Sequence, residues 1–198
     1  MDENVARVVF CVLWVLQLLV RLPHMVRNRK NIIVSNSAGS VDKALLAITI
    51  TTGAAVPVLY LATGFPSLAD YPFSSIAGWA GTACAIGGAF FLWRSHADLG
   101  LNWSSSVEVR AQHELVARGV YARIRHPMYT GMAVCTIAQT LLLPNWLIGP
   151  CGFVAFLAFY AHRVPREEQL MLATLGEPYA GYMRRTHRLW PRLRKASR

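Results

Sequence analysis

Five long apolar runs alternate with polar stretches along this chain. They cover Val5–Val20, Ala44–Gly64, Ile76–Trp93, Pro127–Leu143 and Trp146–Ala161, with lengths of 16, 21, 18, 17 and 16 residues, and together hold 88 of the 198 residues. A bilayer-spanning helix takes roughly 17–25 mostly apolar residues, so each run predicts one. Terminal residues such as Arg7 can snorkel and extend the first, one of the two shortest. Only Pro144-Asn145 separates the last two runs, which predicts a tight antiparallel hairpin. The expected fold class is all-α: a single integral membrane domain of five transmembrane helices, with three N-terminal spans in 1–93 and two spans plus cytoplasmic helices in 94–198. The first run is expected to be a retained span. Asp2 and Glu3 precede it, and Arg21, Arg27, Arg29 and Lys30 follow it where a signal peptide would show small residues.

Composition agrees with this pattern. AVILMFWYC residues make up 54%, charged residues 15%, and mean hydropathy is +0.34; soluble domains carry about 25% charged residues. An acidic or disordered chain is excluded. Cys11, Cys84, Cys135 and Cys151 all fall in apolar runs without a C-x-x-C pair, so they read as small hydrophobes rather than a disulfide framework or a metal site. Gly81-x-x-x-Ala85 and Ala83-x-x-x-Gly87 have the spacing that lets helices approach closely. Trp79, Trp93, Trp146, Tyr60 and Tyr160 lie near run ends, as aromatic belts do.

The formal charge of +10 invites a nucleic-acid reading, but its distribution answers it: 19 of the 20 Lys and Arg residues lie after runs one, three and five, and only Arg7 lies elsewhere. The alternate segments Phe65–Ser75 and Pro144-Asn145 have none. This is the positive-inside pattern. It predicts an N-terminus outside and a C-terminus in the cytoplasm, in the inner or plasma membrane of a prokaryote or the endoplasmic reticulum of a eukaryote. The expected partners are membrane lipids and a lipophilic ligand, with no nucleic acid.

Two basic-side segments carry more information than connecting loops need. The first includes His113-Glu114-Leu115-Val116 and Gly119-Val120-Tyr121, then Arg125-His126-Pro127-Met128-Tyr129-Thr130-Gly131. The second holds Arg163-Val164-Pro165-Arg166-Glu167-Glu168 and then Gly176-Glu177-Pro178-Tyr179. Each piece has a plain local explanation. Pro127 suits the first position of a helix. Glu167 and Glu168 would suit a first turn opened by Pro165, and Gly176 would end that helix. Arg163 and Glu167 at i,i+4 could be a simple ion pair. Together, R-H-P-x-Y-x-G at the start of a span, preceded by H-x-L-V-x-x-G-x-Y and followed after a hairpin by R-x-x-x-E-E-x-x-L, resembles the isoprenylcysteine carboxyl methyltransferase family, within a wider group that includes phospholipid N-methylating enzymes. The resemblance covers about Leu99 to Pro191.

The resemblance implies an enzyme that transfers a methyl group from S-adenosylmethionine. No G-x-G-x-x-G is present to suggest a Rossmann site. Carried over by motif, His113, Glu114, Leu115, Val116, Tyr121, His126, Pro127, Met128, Tyr129 and Glu167 would line the cofactor. Arg163, Glu167 and Glu168 would be the catalytic candidates, with Arg163 at the acceptor; Ser106 stands where some members carry glutamine. No metal is implied. The favoured acceptor is a prenylcysteine-like carboxylate, which needs orientation but no base. An amine acceptor would need a base, for which His126, Glu167 and Glu168 all remain candidates. N- or S-methylation of a phospholipid amine or small thiol is the alternative, and a non-catalytic membrane scaffold a third reading.

Overall fold

Every apolar run forms helix. The computed structural model describes residues 1–28, 33–36, 39–100, 108–110 and 115–191. Its elements are α1 (Glu3–Asn28), β1 (Ile33–Asn36), α2 (Ser40–Ile50), α3 (Val56–Thr63), α4 (Ser75–Leu99), β2 (Glu108–Arg110), α5 (Pro127–Leu142), α6 (Ile148–Leu175) and α7 (Glu177–Arg185). A π-helical turn over Thr51–Ala55 joins α2 to α3 without a break.

Among the described residues, Glu3–His24, Ser40–Thr63 and Ser75–Leu99 are long and apolar enough to cross a membrane. Only 11%, 22% and 33% of their most apolar windows is buried within the protein. Val8, Val12, Leu19, Leu59, Ile76 and Ile86 are among the apolar side chains left exposed. Helices this apolar and this exposed are matched to lipid rather than water. The fourth and fifth runs behave differently. Helix α5 has 16 residues, and α6 continues for 28 residues from its apolar half into the charged stretch around Arg163. Glu167 and Glu168 therefore lie deep within α6, not in the first turn of a separate helix; the helix passes through Pro165.

The fold is helical, as expected, with a short two-stranded ribbon between its helices. β1 pairs antiparallel with β2, with Ile33 opposite Arg110 and Asn36 opposite Glu108. This ribbon joins the segments that follow runs one and three. The two segments without basic residues meet at the opposite end, where Asn145 is the knot. Its side chain accepts from the Leu147 and Ile148 amides, both at 2.9 Å, and donates to Pro66 O and Asp70 Oδ1, both at 2.7 Å. Tyr60 donates to the same Asp70 oxygen at 2.7 Å. One buried amide thus caps α6 and ties it to the segment before α4.

Between these ends, α4 packs on α5 and α1, and α6 on α5 and α2. The α4–α5 approach depends on glycine. A Cβ at Gly88 would stand 2.5 Å from Cys135 Sγ and 3.0 Å from Gly131 O, while one at Gly87 would meet nothing. The close contact therefore follows Gly81, Ala85 and Gly88 rather than Ala83 and Gly87. The π-turn carbonyl of Thr52 is taken up by Gln139 Nε2 at 3.2 Å, a satisfied polar contact inside the bundle. At the ribbon end, Asp42, 2% exposed, binds Arg166 Nη1 at 2.5 Å and holds the start of α2 against α6.

Candidate active site

At the ribbon end the chain between α4 and α5 is fixed by a short chain of contacts. Asp98 Oδ2 accepts from the Val120 amide at 2.9 Å, and its Oδ1 binds Arg94 at 2.7 Å. Gly119, at φ +56°, lies against that carboxylate, so close that a Cβ there would overlap it; only glycine fits both the backbone and the space. The 3₁₀ turn Gly119–Ala122 then brings Tyr121 inward, 7% exposed. Burial raises this phenol well above its ordinary pKa, so it remains a neutral O–H group. From α7, the Tyr182 hydroxyl donates to Tyr121 O at 2.6 Å and Ile124 O at 3.3 Å, fastening the turn.

The next residues meet the segment after α7. The Arg125 and His126 amides donate to His187 O at 2.8 Å and Arg188 O at 2.9 Å, and Thr130 Oγ1 donates to Leu189 O at 2.8 Å. Glu168 is the ionic centre of this junction. Its carboxylate, 4% exposed, takes Arg125 Nε at 3.0 Å, His126 Nε2 at 3.2 Å and Arg188 Nη2 at 2.6 Å. Arg125 also donates to Met183 O at 3.0 Å and to Thr186 O. Burial alone would raise the Glu168 pKa, but the hydrogen bonds from His126 and Arg188, with Arg125 beside them, hold it at about 2. A carboxylate so stabilised is a poor proton acceptor.

Glu167, one residue earlier, faces elsewhere. Its Oε1 accepts from Arg163 Nε at 2.7 Å and from the Tyr129 hydroxyl at 2.9 Å. Its Oε2 makes no hydrogen bond among the described residues and lies 3.9 Å from His126 Nδ1. The Arg163 guanidinium stacks over Phe159 at 5.3 Å and is 4% exposed as a residue. These groups line a cavity of about 630 Å³, within the range of small-molecule sites. At the other end its walls are mostly apolar, formed by Phe10, Ala138 and Leu142 with Gln139 among them. His126 and Leu142 both line it and are 16 positions apart, so at 1.5 Å per residue the cavity follows α5 for about 24 Å.

Of the residues singled out in the sequence, Leu115, Val116, Tyr121, His126, Met128, Tyr129, Arg163 and Glu167 all line this cavity. Pro127 is buried as the first residue of α5 and is not in the wall. Glu168, expected as a catalytic candidate, does not line the cavity either: it is turned into the ion junction, where its charge is spent on Arg125, His126 and Arg188. His113, Glu114 and Ser106 fall outside the described residues. Nothing in the sequence signals that α1, the end of α2 and the π turn complete the wall, with Trp14, Gln17, Arg21, Thr49 and Gly53. An arginine at the end of an apolar run satisfied the topological reading, and nothing local set Arg21 apart.

This arrangement is matched by similarity. Residues 81–173 fit the model of the isoprenylcysteine carboxyl methyltransferase family. That segment carries the family's pattern. The chain is 28% identical over 124 residues to a protein-S-isoprenylcysteine O-methyltransferase of Dictyostelium discoideum, covering 60% of this chain and 49% of that one. It is 36% identical over 75 residues to one of Tribolium castaneum, 38% of this chain and 27% of the other. A solved structure of a eukaryotic intramembrane Ras methyltransferase, isoprenylcysteine carboxyl methyltransferase, aligns with a TM-score of 0.55 and 26% identity over 80% of this chain and 54% of that one. The chain thus spans about half the length of the Dictyostelium relative and of the solved structure.

Proposed function

We propose that the chain is an S-adenosylmethionine-dependent methyltransferase acting on a lipophilic acceptor held in the membrane, with a prenylcysteine-like carboxylate as the preferred class. The observation that carries this reading is the shape of the cavity: one continuous space with Glu167, Arg163 and His126 at one end and an apolar arm along α5 at the other. That form suits an amphipathic acceptor. The donor set also suits the cofactor. Glu167 Oε2 is available to the ammonium of its amino-acid end, while Leu115, Val116, Tyr121, His126, Met128 and Tyr129 provide the surrounding wall. When bound, the cofactor supplies a methyl group on a sulfonium, an intrinsically reactive donor. The residues of this chain then supply placement and exclusion of water. Arg163 and Tyr129 fix the Glu167 carboxylate, and the Glu168 junction fixes His126. Arg163 also brings positive charge to the acceptor's carboxylate, which is already nucleophilic at neutral pH and needs no base.

The proposed setting is one membrane domain of five crossings, N-terminus outside and C-terminus cytoplasmic. The ribbon between the two basic segments, and the Asn145 knot between the two non-basic ones, support this alternation. The test uses the full chain in detergent. Calorimetry should detect S-adenosylhomocysteine binding, and labelled cofactor should methylate a series of thioether carboxylates. A buried CH₂ contributes about 0.8 kcal/mol, so specificity should rise about fourfold per added CH₂ until the arm is filled. Arg163→Ala should lower turnover far more than cofactor affinity. Absence of cofactor-product binding, or turnover indifferent to chain length, would overturn the reading.

A further inference from the structure

Among the described residues, the charges lining the cavity do not cancel. Glu167 is committed to Arg163 at 2.7 Å, and Arg125 to Glu168 at 3.0 Å. Arg21 of α1 lines the same cavity and is partly buried, yet it makes no hydrogen bond and no ion pair among the described residues. Its electrostatic neighbours are Cys135, Arg163 and Tyr129. One of these is another guanidinium. Among the described residues lining the cavity, these two like charges share a low-dielectric space with one carboxylate, Glu167, which leaves one positive charge over, and an anionic ligand removes that imbalance.

The position of Arg21 indicates which anion. Arg21, Tyr129, Cys135 and Arg163 line the same cavity, and Cys135 lies eight residues beyond Pro127, about 12 Å along α5, between the Tyr129 level and the apolar arm. A water-soluble cofactor enters at the polar end, whereas an acceptor whose tail fills the apolar arm must place its head group beside Arg21. We infer that Arg21 and Arg163 form a two-guanidinium clamp on the acceptor's carboxylate, with Arg21 making the site selective for carboxylates over neutral acceptors of the same shape. This rests on the carboxylate reading above. It adds a residue from α1, outside the matched segment 81–173. The cofactor has a carboxylate too, so the experiment must separate the two sources.

The full chain in detergent is titrated with a long-chain thioether carboxylate, with its isosteric carboxamide, and with S-adenosylhomocysteine. Wild type should bind the carboxylate at least tenfold more tightly than the amide, since a hydrogen bond to a charged group is worth about one to two decades. Arg21→Gln should bring that ratio to within about threefold of unity while S-adenosylhomocysteine affinity stays within twofold. Arg21→Met, which keeps the apolar stem, provides the same comparison where the Gln variant does not fold. A wild-type ratio preserved in the folded variant overturns the inference and leaves the carboxylate reading standing. A fall in cofactor-product affinity with the ratio intact also overturns it, assigning Arg21 to the cofactor. A wild type that binds acid and amide alike overturns the carboxylate reading itself, and the clamp with it.

Discussion

Two charged regions adjoin at the ribbon end, and they differ in how completely their charges are matched. At the junction of α5, α6 and the segment after α7, the Glu168 carboxylate is saturated by Arg125, His126 and Arg188, and backbone contacts close the rest. Along the cavity, among the described residues, Glu167 has one oxygen engaged and one without a hydrogen bond, and Arg21 makes no ion pair. Burial differs, with the Glu167 side chain 22% exposed against 4% for Glu168, but does not by itself separate the two regions. Saturation does. A network with every donor and acceptor used has nothing to offer a ligand and serves as scaffold, whereas one left short of partners has binding capacity. Adjacent glutamates on one helix thus acquire opposite roles, because successive helical positions point about 100° apart.

The largest effect should come from the saturated side. Glu168→Ala leaves three donors without their acceptor, and breaking a buried pair costs about 3–5 kcal/mol. Thermal unfolding in detergent should show a fall of several degrees, with cofactor-product binding lost only in proportion to the folded fraction. A variant that melts like wild type but no longer binds S-adenosylhomocysteine would move Glu168 to the ligand side and break the comparison.

The same carboxylate makes stability depend on pH. Its folded pKa is depressed from 4.5 to about 2, so the stability it contributes is complete above the unfolded value and is lost as pH falls through the folded one. The amount is about 3 kcal/mol from the size of the shift. Melting temperature should therefore be flat with respect to this group above about pH 5 and decline between there and pH 2. Glu168→Gln should remove most of that slope. If the slope survives in the variant, other carboxylates carry it.

On the unsaturated side the expected effect is smaller and of another kind. Glu167→Gln keeps an amide oxygen that can still accept from Tyr129 and Arg163, so the fold should persist with little change in melting. S-adenosylhomocysteine affinity should fall about 10–100-fold, the worth of a hydrogen bond between charged groups. Calorimetry on the folded variant measures it. Unchanged affinity would mean that the second oxygen of Glu167 meets no ligand.

The contrast explains what could be read from the chain alone. Apolar runs and the charge alternation located α1 to α6 but not α7, because both signals are local and lipid matching is a strong constraint. The polar end of the cavity was legible through the R-H-P-x-Y and R-x-x-x-E-E patterns, which supply Arg125, His126, Tyr129, Arg163 and Glu167 of its wall. What the pattern could not supply was direction. E-E names two carboxylates and does not say that one meets Arg188, twenty residues later, while the other meets Tyr129. Nor does a boundary arginine such as Arg21 announce that α1 will fold against α4 and α5 and turn it into the cavity. The ribbon was missed for a related reason: β1 and β2 are short and pair across more than seventy residues, so neither has a periodicity of its own to detect.

Tyr182 connects the two regions and should give the smallest effect. It belongs to α7, whose following segment carries the Glu168 partner Arg188, yet its hydroxyl ends on Tyr121 O and Ile124 O, the backbone that sets the cavity wall. Tyr182→Phe keeps the ring in its buried place and removes only these bonds. A typical hydrogen bond contributes about 1 kcal/mol, which for a chain of this size lowers melting by about 2–4 °C. If the turn transmits scaffold order to the site, S-adenosylhomocysteine affinity should weaken alongside, by about two- to fivefold. The two readouts together make the measurement informative. A melting loss with unchanged affinity would show the junction and the cavity wall to be independent, with Tyr121 held by its own packing. An affinity loss of tenfold or more with no change in melting would place Tyr182, and the turn it fastens, among the groups that shape the ligand site directly.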